Sequence, residues 1–299
     1  MTIWTEIEAP AISPASLLVI AIGNLKGGVG KTVVSAYLSL ALVERGLRVL
    51  AVDLDFQGSL STALNKYKTG DDYDGIRHLL LGQSADNIFD PKIISPCSKK
   101  WENLTVVRAN FDLTDLEDRL FAQLVLRQYE TDPRVLLSTV FSDESLKQEF
   151  DLIILDTPPR LTIASINAFF ACTHILIPTA PTELAMKGAN GFISSLRMLK
   201  RYIGQDVNML GVIPTLLFNK NSSFGPDKIG GVEVWKDTKI FRREDIANNF
   251  DLSTKTIAEL FRPLAEKVES VIGLKQNGKR DNKRFPRVPG FSWRGLEKR

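Results

Sequence analysis

Residues 17–32 decide the fold, and they read LLVIAIGNLKGGVGKT. The apolar run at the start predicts a buried strand, and a helical pattern follows from Lys31 onward. A glycine-rich loop between a strand and a helix can turn its backbone N–H groups towards phosphates at the helix N-terminus. In such a loop Lys31 would reach the β- and γ-phosphates, and the Thr32 hydroxyl would hold Mg²⁺. The stretch therefore predicts a nucleotide-binding site.

The rest of the chain alternates short runs of Val, Ile and Leu with longer helical patterns. This alternation predicts an α/β fold, with a doubly wound, mostly parallel sheet that is flanked by helices on both faces. Sheets of this kind bind ligands at the carboxyl ends of their strands. The predicted strands are 17–24, 48–55, 104–108, 150–156, 174–179 and 209–218, and the predicted helices are 31–45, 133–149 (with Asp132 as its cap), 165–172, 188–203 and 253–272.

The composition is that of a globular protein, with 299 residues of which 44% are hydrophobic and 24% charged. Cys97 and Cys172 are too few for a disulfide framework, and two histidines without a CxxC pair leave little material for a zinc or iron–sulfur site. The longest apolar runs are far shorter than the ~20 residues of a membrane-spanning helix. The acidic N-terminus lacks the basic start of a secretory signal. These features predict a soluble, cytoplasmic protein.

The net charge of +3 is unevenly distributed along the chain. Residues 275–299 carry nine basic and two acidic residues, a balance of +7, which leaves −4 for the other 274 residues. Pro286, Pro289 and three glycines in this tail disfavour a helix and predict an extended or flexible segment. Residues 1–16 form a short polar lead, too small for a separate DNA-binding domain.

Residues 26–32, KGGVGKT, resemble the deviant Walker A motif of the ParA/MinD family of ATPases. The ordinary motif GxxxxGK[ST] fails because Leu25 stands where its first glycine would be, and the dinucleotide motif GxGxxG fails at Val33. In this family the first lysine, here Lys26, reaches the nucleotide of the other subunit, where a second cation offsets charge on the transferring phosphoryl group. The resemblance therefore implies an ATP-bound homodimer, with ATP and Mg²⁺ as cofactors. The nucleotide-binding residues it implies are Lys26, Gly27, Gly28, Val29, Gly30, Lys31 and Thr32, of which Lys26 and Lys31 are also catalytic.

Residues 52–58, VDLDFQG, resemble the DxDPQG segment of the same family, with Phe56 in place of the usual proline. The resemblance gives Asp55 the role of positioning or activating the attacking water, and it places Asp53 near the Mg²⁺ ion. Alternation along a strand puts these two carboxylates on the same face. Phe56 removes the fixed φ that a proline would supply, so the sequence leaves the conformation of this loop open.

Residues 150–159, FDLIILDTPP, read as a Walker B strand, with Asp156 acting on Mg²⁺ directly or through water. The turn at residues 157–159 resembles the family's turn that senses the γ-phosphate. Weaker matches extend the resemblance to about residue 272. One of them ends near Asn219, whose amide could meet the adenine edge, and another places Arg242-Arg243 where relatives carry a basic pair. The guanine-reading motif NKxD is absent from the sequence, which favours ATP over GTP.

What the ATP-bound dimer binds divides the family by function. A ParA-type partition or positioning ATPase binds DNA nonspecifically, and a ParB-like partner stimulates hydrolysis and release. The basic tail favours this interpretation because cations that neutralise DNA phosphates release counterions. Such a protein would associate with the nucleoid, and its cargo could be a plasmid, a chromosome or a protein complex. The candidate DNA-binding residues are Lys275, Lys279, Arg280, Lys283, Arg284 and Arg287.

Two other functional classes are alternatives. A MinD-type membrane switch needs an amphipathic C-terminal helix, and residues 291–296 offer apolar anchors, but Pro289 and Gly295 make this segment a poor helix. An electron-transfer ATPase like the nitrogenase iron protein needs paired cluster cysteines, for which Cys97 and Cys172 are badly placed. The predicted domains are an N-terminal extension (1–16), a P-loop ATPase domain (17–274) and a basic tail (275–299).

Overall fold

The computed structural model describes residues 17–64, 75–81, 88–89, 93–203, 207–219, 222–242, 255 and 257–274. The predicted extension 1–16 and the basic tail 275–299, with its six candidate DNA-binding residues, lie outside the described residues.

The described chain is organised around a seven-stranded sheet with the order β3-β4-β2-β5-β1-β6-β7. All neighbouring strands are parallel except β3, which is antiparallel to β4. The central strands β2 and β5 are buried at every residue, as expected of strands covered on both faces. The predicted doubly wound, mostly parallel sheet is therefore confirmed. Its strands are β1 (Leu18–Ile22), β2 (Val49–Asp53), β3 (Ile94–Pro96), β4 (Leu104–Val107), β5 (Leu152–Asp156), β6 (His174–Thr179) and β7 (Asn208–Pro214).

Helices cover both faces of the sheet and enclose two apolar layers. One layer lies under α1, α2 and α9, where the rings of Tyr37 and Phe261 stack at 4.9 Å, and the other lies under α3, α4, α5, α7 and α8. Among the described residues, no helix is both long and apolar enough to cross a membrane. The helices are α1 (Lys31–Glu44), α2 (Ser59–Leu64), α3 (Gly75–Leu80), α4 (Asp112–Leu126), α5 (Leu136–Phe141), α6 (Glu144–Glu149), α7 (Ile163–Ala171), α8 (Glu183–Ile203) and α9 (Arg262–Ile272).

A short hairpin, β8 (Lys228–Ile229) and β9 (Val232–Glu233), packs beside β7 at the edge of the sheet. The chain after β9 forms a parallel bridge to β7, and the Trp235 N–H donates to the carbonyl of Val212 at 2.9 Å. The indole of Trp235 fills the space over Gly211, where a Cβ atom would come within 2.4 Å of it. This segment covers part of an edge that would otherwise expose backbone donors and acceptors.

The single helix predicted over 133–149 is wrong, because the structure contains two helices, α5 and α6, in its place. Asp132 does not cap a helix. It pairs with the buried guanidinium of Arg134, with Nη2 to Oδ2 at 2.6 Å, and accepts the Arg134 N–H at 2.9 Å. Downstream, Asn167 accepts the Leu137 N–H at 3.0 Å. These polar contacts fix the backbone before α5, and a proline-and-cap pattern does not reveal them.

The strand predicted over 209–218 also runs too far, because β7 ends at Pro214. Leu216 has a φ of 56°, in the left-handed region, which no strand residue adopts. Two helices start at other residues than predicted. The helix α8 begins five residues before the predicted start at 188, and in the helix predicted over 253–272 a π-helical turn (Ile257–Phe261) precedes α9. The short elements β3, α2 and α3, and the longer α4, were not predicted, because their apolar runs are short or carry many charges.

Candidate nucleotide-binding site

The loop between β1 and α1, residues 23–30, is called the phosphate loop here. Gly28 and Gly30 have φ values of 72° and 85°, in the left-handed region that favours glycine. Gly30 is the N-cap of α1, and within the described chain no side chain caps this helix. The first N–H groups of α1 therefore point out of the helix towards a region suited to an anion.

Neighbouring strand ends hold the phosphate loop in place. The Thr215 hydroxyl, just after β7, donates to the carbonyl of Val29 at 2.7 Å. The Asn24 side chain donates to the carbonyl of Pro178 in β6 at 2.9 Å, and its oxygen accepts the Lys26 N–H at 2.9 Å. These contacts fix the loop from the sheet side, and Lys26, Gly27 and Gly28 are exposed.

Lys31, the first residue of α1, is buried, with only 7% of its surface exposed. Its Nζ donates to the carbonyl of Lys26 at 3.3 Å, across the phosphate loop. Burial lowers the pKa of Lys31, and the nearby charges of Asp156 and Asp55 oppose that shift. A phosphate in the loop would favour the ammonium form further, which suits the phosphate-binding role predicted for Lys31.

Asp156 ends β5, and its buried carboxylate faces α1. Oδ1 accepts the Ser35 hydroxyl at 2.8 Å, whereas Oδ2 has no hydrogen-bond partner among the described residues. Burial raises the pKa of Asp156 and the charge of Asp53 adds to the rise, while the hydroxyls of Ser35 and Thr32 lower it. A divalent cation between Asp156 and Thr32 would offset the buried charge and use the unpaired oxygen, so these residues fit Mg²⁺.

Asp53 lies opposite Asp156 in the register of β2 and β5. Its carboxylate accepts three hydrogen bonds, from the N–H of Asp55 at 3.1 Å and from the N–H and hydroxyl of Ser61 at 2.8 and 2.7 Å. Burial raises the pKa of Asp53, and the bonds from Ser61 oppose the rise. In this structure Asp53 anchors the chain that leads from β2 into α2, and its place near Mg²⁺ stays a prediction.

Asp55 lies in the loop of residues 54–58, called the Asp55 loop, and is half-buried. Its Oδ1 accepts the Gln57 N–H at 3.1 Å, and its carbonyl accepts the Gly58 N–H at 2.8 Å. This is the local hydrogen bonding of an Asx turn. Because the Asp55 charge acts on Lys31, the carboxylate lies near the phosphate-binding lysine. Its role with the attacking water stays a prediction.

The loop after β5, residues 157–162, lies beside the end of β1 and the phosphate loop. The Thr157 hydroxyl donates to the carbonyl of Ile22 at 2.8 Å. Pro159 lies 3.7 Å from the point where a Cβ atom on Gly27 would be. The 157–162 loop and the phosphate loop are therefore neighbours at the end of the sheet.

Two predicted residues lie towards the rim. Lys26 is exposed, and its Cβ lies 3.5 Å from the point where a Cβ on Gly188 in α8 would be. Asn219 is also exposed and lies four residues after Thr215, with its N–H donating to the Ser222 hydroxyl at 3.1 Å. The nucleotide contacts expected of Lys26 and Asn219 stay predictions.

Several residues of the site were missed in the sequence. Ser35 lies one helical turn after Lys31, so its i, i+4 spacing was a usable signal. Thr215 acts on Val29, 186 residues away, and no local pattern reveals such a pair. Among the described residues, no three His, Cys, Asp or Glu side chains cluster as a metal site. Phosphate oxygens and water would thus complete a Mg²⁺ shell, as is usual for this ion.

A glycine-rich loop at a helix N-terminus, a buried lysine and an aspartate at the neighbouring strand end define the class of P-loop nucleotide-binding proteins. A family model described as AAA domain matches residues 17–209 of the chain. The sporulation initiation inhibitor protein Soj of Bacillus subtilis is 31% identical over 228 residues, which is 76% of this chain and 81% of that protein. The chromosome-partitioning ATPase Soj of Thermus thermophilus is 29% identical over 66% of this chain and 68% of that protein. The chain belongs to the ParA/MinD family of ATPases.

Solved structures agree with this fold. Cobyrinic acid a,c-diamide synthase from Mycobacterium smegmatis, with bound ADP and magnesium, is 28% identical and has a TM-score of 0.58 over 70% of this chain and 78% of that chain. A McdA variant from Cyanothece in complex with ATP is 20% identical and has a TM-score of 0.69 over 88% of this chain and 99% of that chain. The second likeness shows the fold alone.

Proposed function

We propose that this chain is a ParA-type partition or positioning ATPase that binds ATP with Mg²⁺ and hydrolyses it slowly. The observation that carries the proposal is the buried Lys31. Its Nζ donates to the carbonyl of Lys26 across the phosphate loop, and it interacts electrostatically with Asp156 and Asp55. Relatives named as chromosome-partitioning proteins support the cellular role.

The residues divide the chemistry among them. Lys31 and the N–H groups of the phosphate loop hold the β- and γ-phosphates. Thr32 and Asp156 would hold Mg²⁺, and Asp53 lies beside Asp156 on the neighbouring strand β2. The bound ion would neutralise charge on the phosphates. Asp55 orients the attacking water as in other phosphoryl-transfer sites, where positioning supplies most of the catalysis. We assign the adenine edge to Asn219.

The exposed Lys26 is the residue that requires a second subunit in this proposal. Its side chain would leave its own loop and reach the nucleotide held by a partner copy, so that ATP holds two chains together. Lys26 is exposed, so burial does not prevent its side chain from reaching a second chain. The dimer is then the ATP-bound state, and the ADP-bound chain is a monomer.

We further propose that the chain consists of an extension (1–16), one ATPase domain (17–274) and a basic tail (275–299). The ATP dimer would bind DNA without sequence preference through this tail. The +7 balance of the tail supports phosphate contacts, and two tails per dimer raise the avidity. Nucleoid association in the cytoplasm follows from this activity. Release would follow hydrolysis that a ParB-like protein stimulates.

The test combines nucleotide turnover with oligomeric state in the full chain. Wild type should hydrolyse ATP and form a dimer in light scattering with ATP and not with ADP. Lys31→Ala should bind no nucleotide, and Lys26→Gln should bind ATP as a monomer. A stable ATP dimer of Lys26→Gln would contradict the cross-subunit role, and the absence of ATP binding by wild type would contradict the whole proposal. Cosedimentation with anionic lipid vesicles, with no DNA shift, would favour a membrane switch instead.

A further inference from the structure

Three side chains outside the nucleotide-binding set connect the Asp55 loop to the 157–162 loop. The guanidinium carbon of Arg160 lies 4.9 Å from the centroid of the Phe56 ring. The Phe111 ring meets the Phe56 ring edge to face, with centroids 5.8 Å apart and an angle of 61°. Phe56 is half-buried between the other two, which are exposed. We call Phe56, Arg160 and Phe111 the aromatic clip.

The clip joins the Asp55 loop to the 157–162 loop, which start side by side at the ends of two neighbouring strands and then separate. The loops leave adjacent parallel strands, β2 and β5, where the Leu54 N–H donates to the carbonyl of Asp156 at 3.0 Å. From there one chain turns at Gly58 into α2, and the other runs to Thr162, which caps α7. Arg160 over Phe56 reconnects the loops at their outer ends, and Phe111 adds the segment after β4.

The Asp55 loop needs such a contact because little else sets its outer conformation. After Leu54, the hydrogen bonds donated by its described N–H groups reach back only two or three residues, from Asp55 to Asp53 and from Gln57 and Gly58 to Asp55. Phenylalanine at position 56 leaves φ free, whereas a proline would fix it near −65°. The contact of Arg160 with the Phe56 ring would therefore restrain the loop in place of the fixed φ that a proline would supply.

The clip also connects Asp55 to the phosphate loop. The Cβ of Pro159, next to Arg160, lies 3.7 Å from the point that a Cβ atom on Gly27 would occupy. The 157–162 loop thus lies beside the phosphate loop at Pro159 and contacts the Phe56 ring through Arg160. We expect a nucleotide that displaces Gly27 to affect both places.

We propose that the aromatic clip positions Asp55 for water attack, so that Asp55 reaches its working position only when the 157–162 loop is seated against the phosphate loop. Phe56 and Arg160 are positioning residues that act through Asp55. The proposal rests on the proposed ATPase function for its kinetic consequence. The coupling between the two loops does not depend on that function.

A double-mutant cycle in the full chain tests the kinetic consequence. Arg160→Gln should lower kcat about two- to fivefold, the range expected for an exposed cation–π contact. Phe56→Leu should lower it by at least as much, and the double variant should be no slower than Phe56→Leu alone. Phe56→Tyr keeps the ring and should restore kcat to within twofold of wild type. The affinity for a fluorescent ATP analogue and the melting temperature should stay unchanged in all four variants.

Two control variants remove the same groups elsewhere. Phe121→Leu and Arg119→Gln change exposed side chains of α4 and should leave kcat unchanged. Multiplicative effects in the Phe56–Arg160 cycle, or a Phe56→Tyr variant as slow as Phe56→Leu, would overturn the proposal.

Hydrogen exchange of the nucleotide-free chain separates the two proposals. Arg160→Gln should speed exchange in peptides spanning the Asp55 loop, and Phe56→Leu should speed it in the 157–162 loop. If wild type hydrolyses no ATP and this reciprocal effect is present, the ATPase proposal fails and the coupling stands. If wild type is an active ATPase and neither peptide responds, the clip proposal fails alone.

Discussion

At the residue scale, the site depends on charges that the fold buries without pairing them completely. Lys31 is 7% exposed and Asp156 is 1% exposed. Burial lowers the pKa of Lys31 and raises the pKa of Asp156, so burial disfavours the charged form of each group, which is the form that would act on a ligand. A nucleotide phosphate and a divalent cation would supply the missing opposite charges. Binding of a nucleotide and its cation would therefore offset the energetic cost of burying these charges.

Asp55→Ala is the substitution that separates binding from hydrolysis. The carboxylate is half-buried and accepts only local N–H groups, so its removal should leave the fold and ATP affinity intact. We expect kcat to fall at least ~100-fold, the low end for loss of a positioned acid–base group, and the ATP dimer to persist. Radiolabelled ATP retained on a dimer in gel filtration measures this outcome. Normal turnover by the variant would remove Asp55 from the reaction.

His174 gives the stability of the fold a defined pH dependence. It lies at the start of β6, its Nδ1 is 2.8 Å from the Thr173 hydroxyl, and burial lowers its pKa below the ordinary 6.5. The unfolded chain therefore binds this proton more readily, so the stabilising contribution is present above the unfolded pKa of 6.5 and is lost as the pH falls from there through the lower folded pKa.

Urea unfolding of His174→Gln against wild type measures this contribution. The unfolding free energy of wild type should fall more steeply than that of the variant between pH 7 and 5, by at most ~1.4 kcal/mol per pH unit. His78→Gln is the control at the other histidine of the chain. Parallel curves for wild type and His174→Gln would refute the assignment.

At the element scale, polar side chains fix where α7 begins, next to the site. Thr162 caps α7 and forms a capping box with Ser165. Glu117 in α4, which is 9% exposed, accepts the Ala164 N–H at 3.0 Å. The end of the 157–162 loop is thus fixed by its own cap and by a second helix. We expect any movement of this loop to involve the residues before Thr162.

Gly211→Ala tests how the edge segment is held on β7. A Cβ at this position would lie 2.4 Å from the indole of Trp235, which is 1% exposed and has no room to move aside. We expect the free energy of unfolding to fall by about 1–3 kcal/mol, the usual cost of overpacking. Gly191→Ala in α8 is the matched control, because nothing lies within 4 Å of its Cβ and alanine favours a helix. Equal stability of Gly211→Ala and wild type would show that the segment moves freely.

At the scale of the whole molecule, the uneven charge predicts a separable DNA-binding function. Removing residues 275–299 changes the net charge from +3 to −4. The shortened chain should keep its ATPase rate and lose the ATP-dependent gel shift of arbitrary duplex DNA. For the full chain, log affinity should fall with log salt at a slope near −0.9 for each phosphate contacted. A shortened chain that still shifts DNA would place the contacts within the ATPase domain.

The sequence predicted the larger part of the fold. Five of the seven strands of the main sheet were predicted to within two residues at each end, because strands that are buried on both faces appear in the sequence as continuous apolar runs. The strand predicted over 209–218 extends beyond the end of β7, and the single helix predicted over 133–149 is replaced by α5 and α6. Their limits depend on a left-handed backbone residue and on a buried Arg134–Asp132 pair, neither of which has a periodic signature.

The sequence by itself determined the class of this protein, the phosphate loop and the carboxylates at the ends of β2 and β5, because these rest on spacings of a few residues along one chain. Only the tertiary structure decided what holds them. Thr215 supports the phosphate loop from 186 residues away, and Arg160 reaches Phe56 across a gap between two loops. A hydrogen bond or a cation–π contact depends on distance in space, and spacing along the chain carries no information about residues that the sheet brings together.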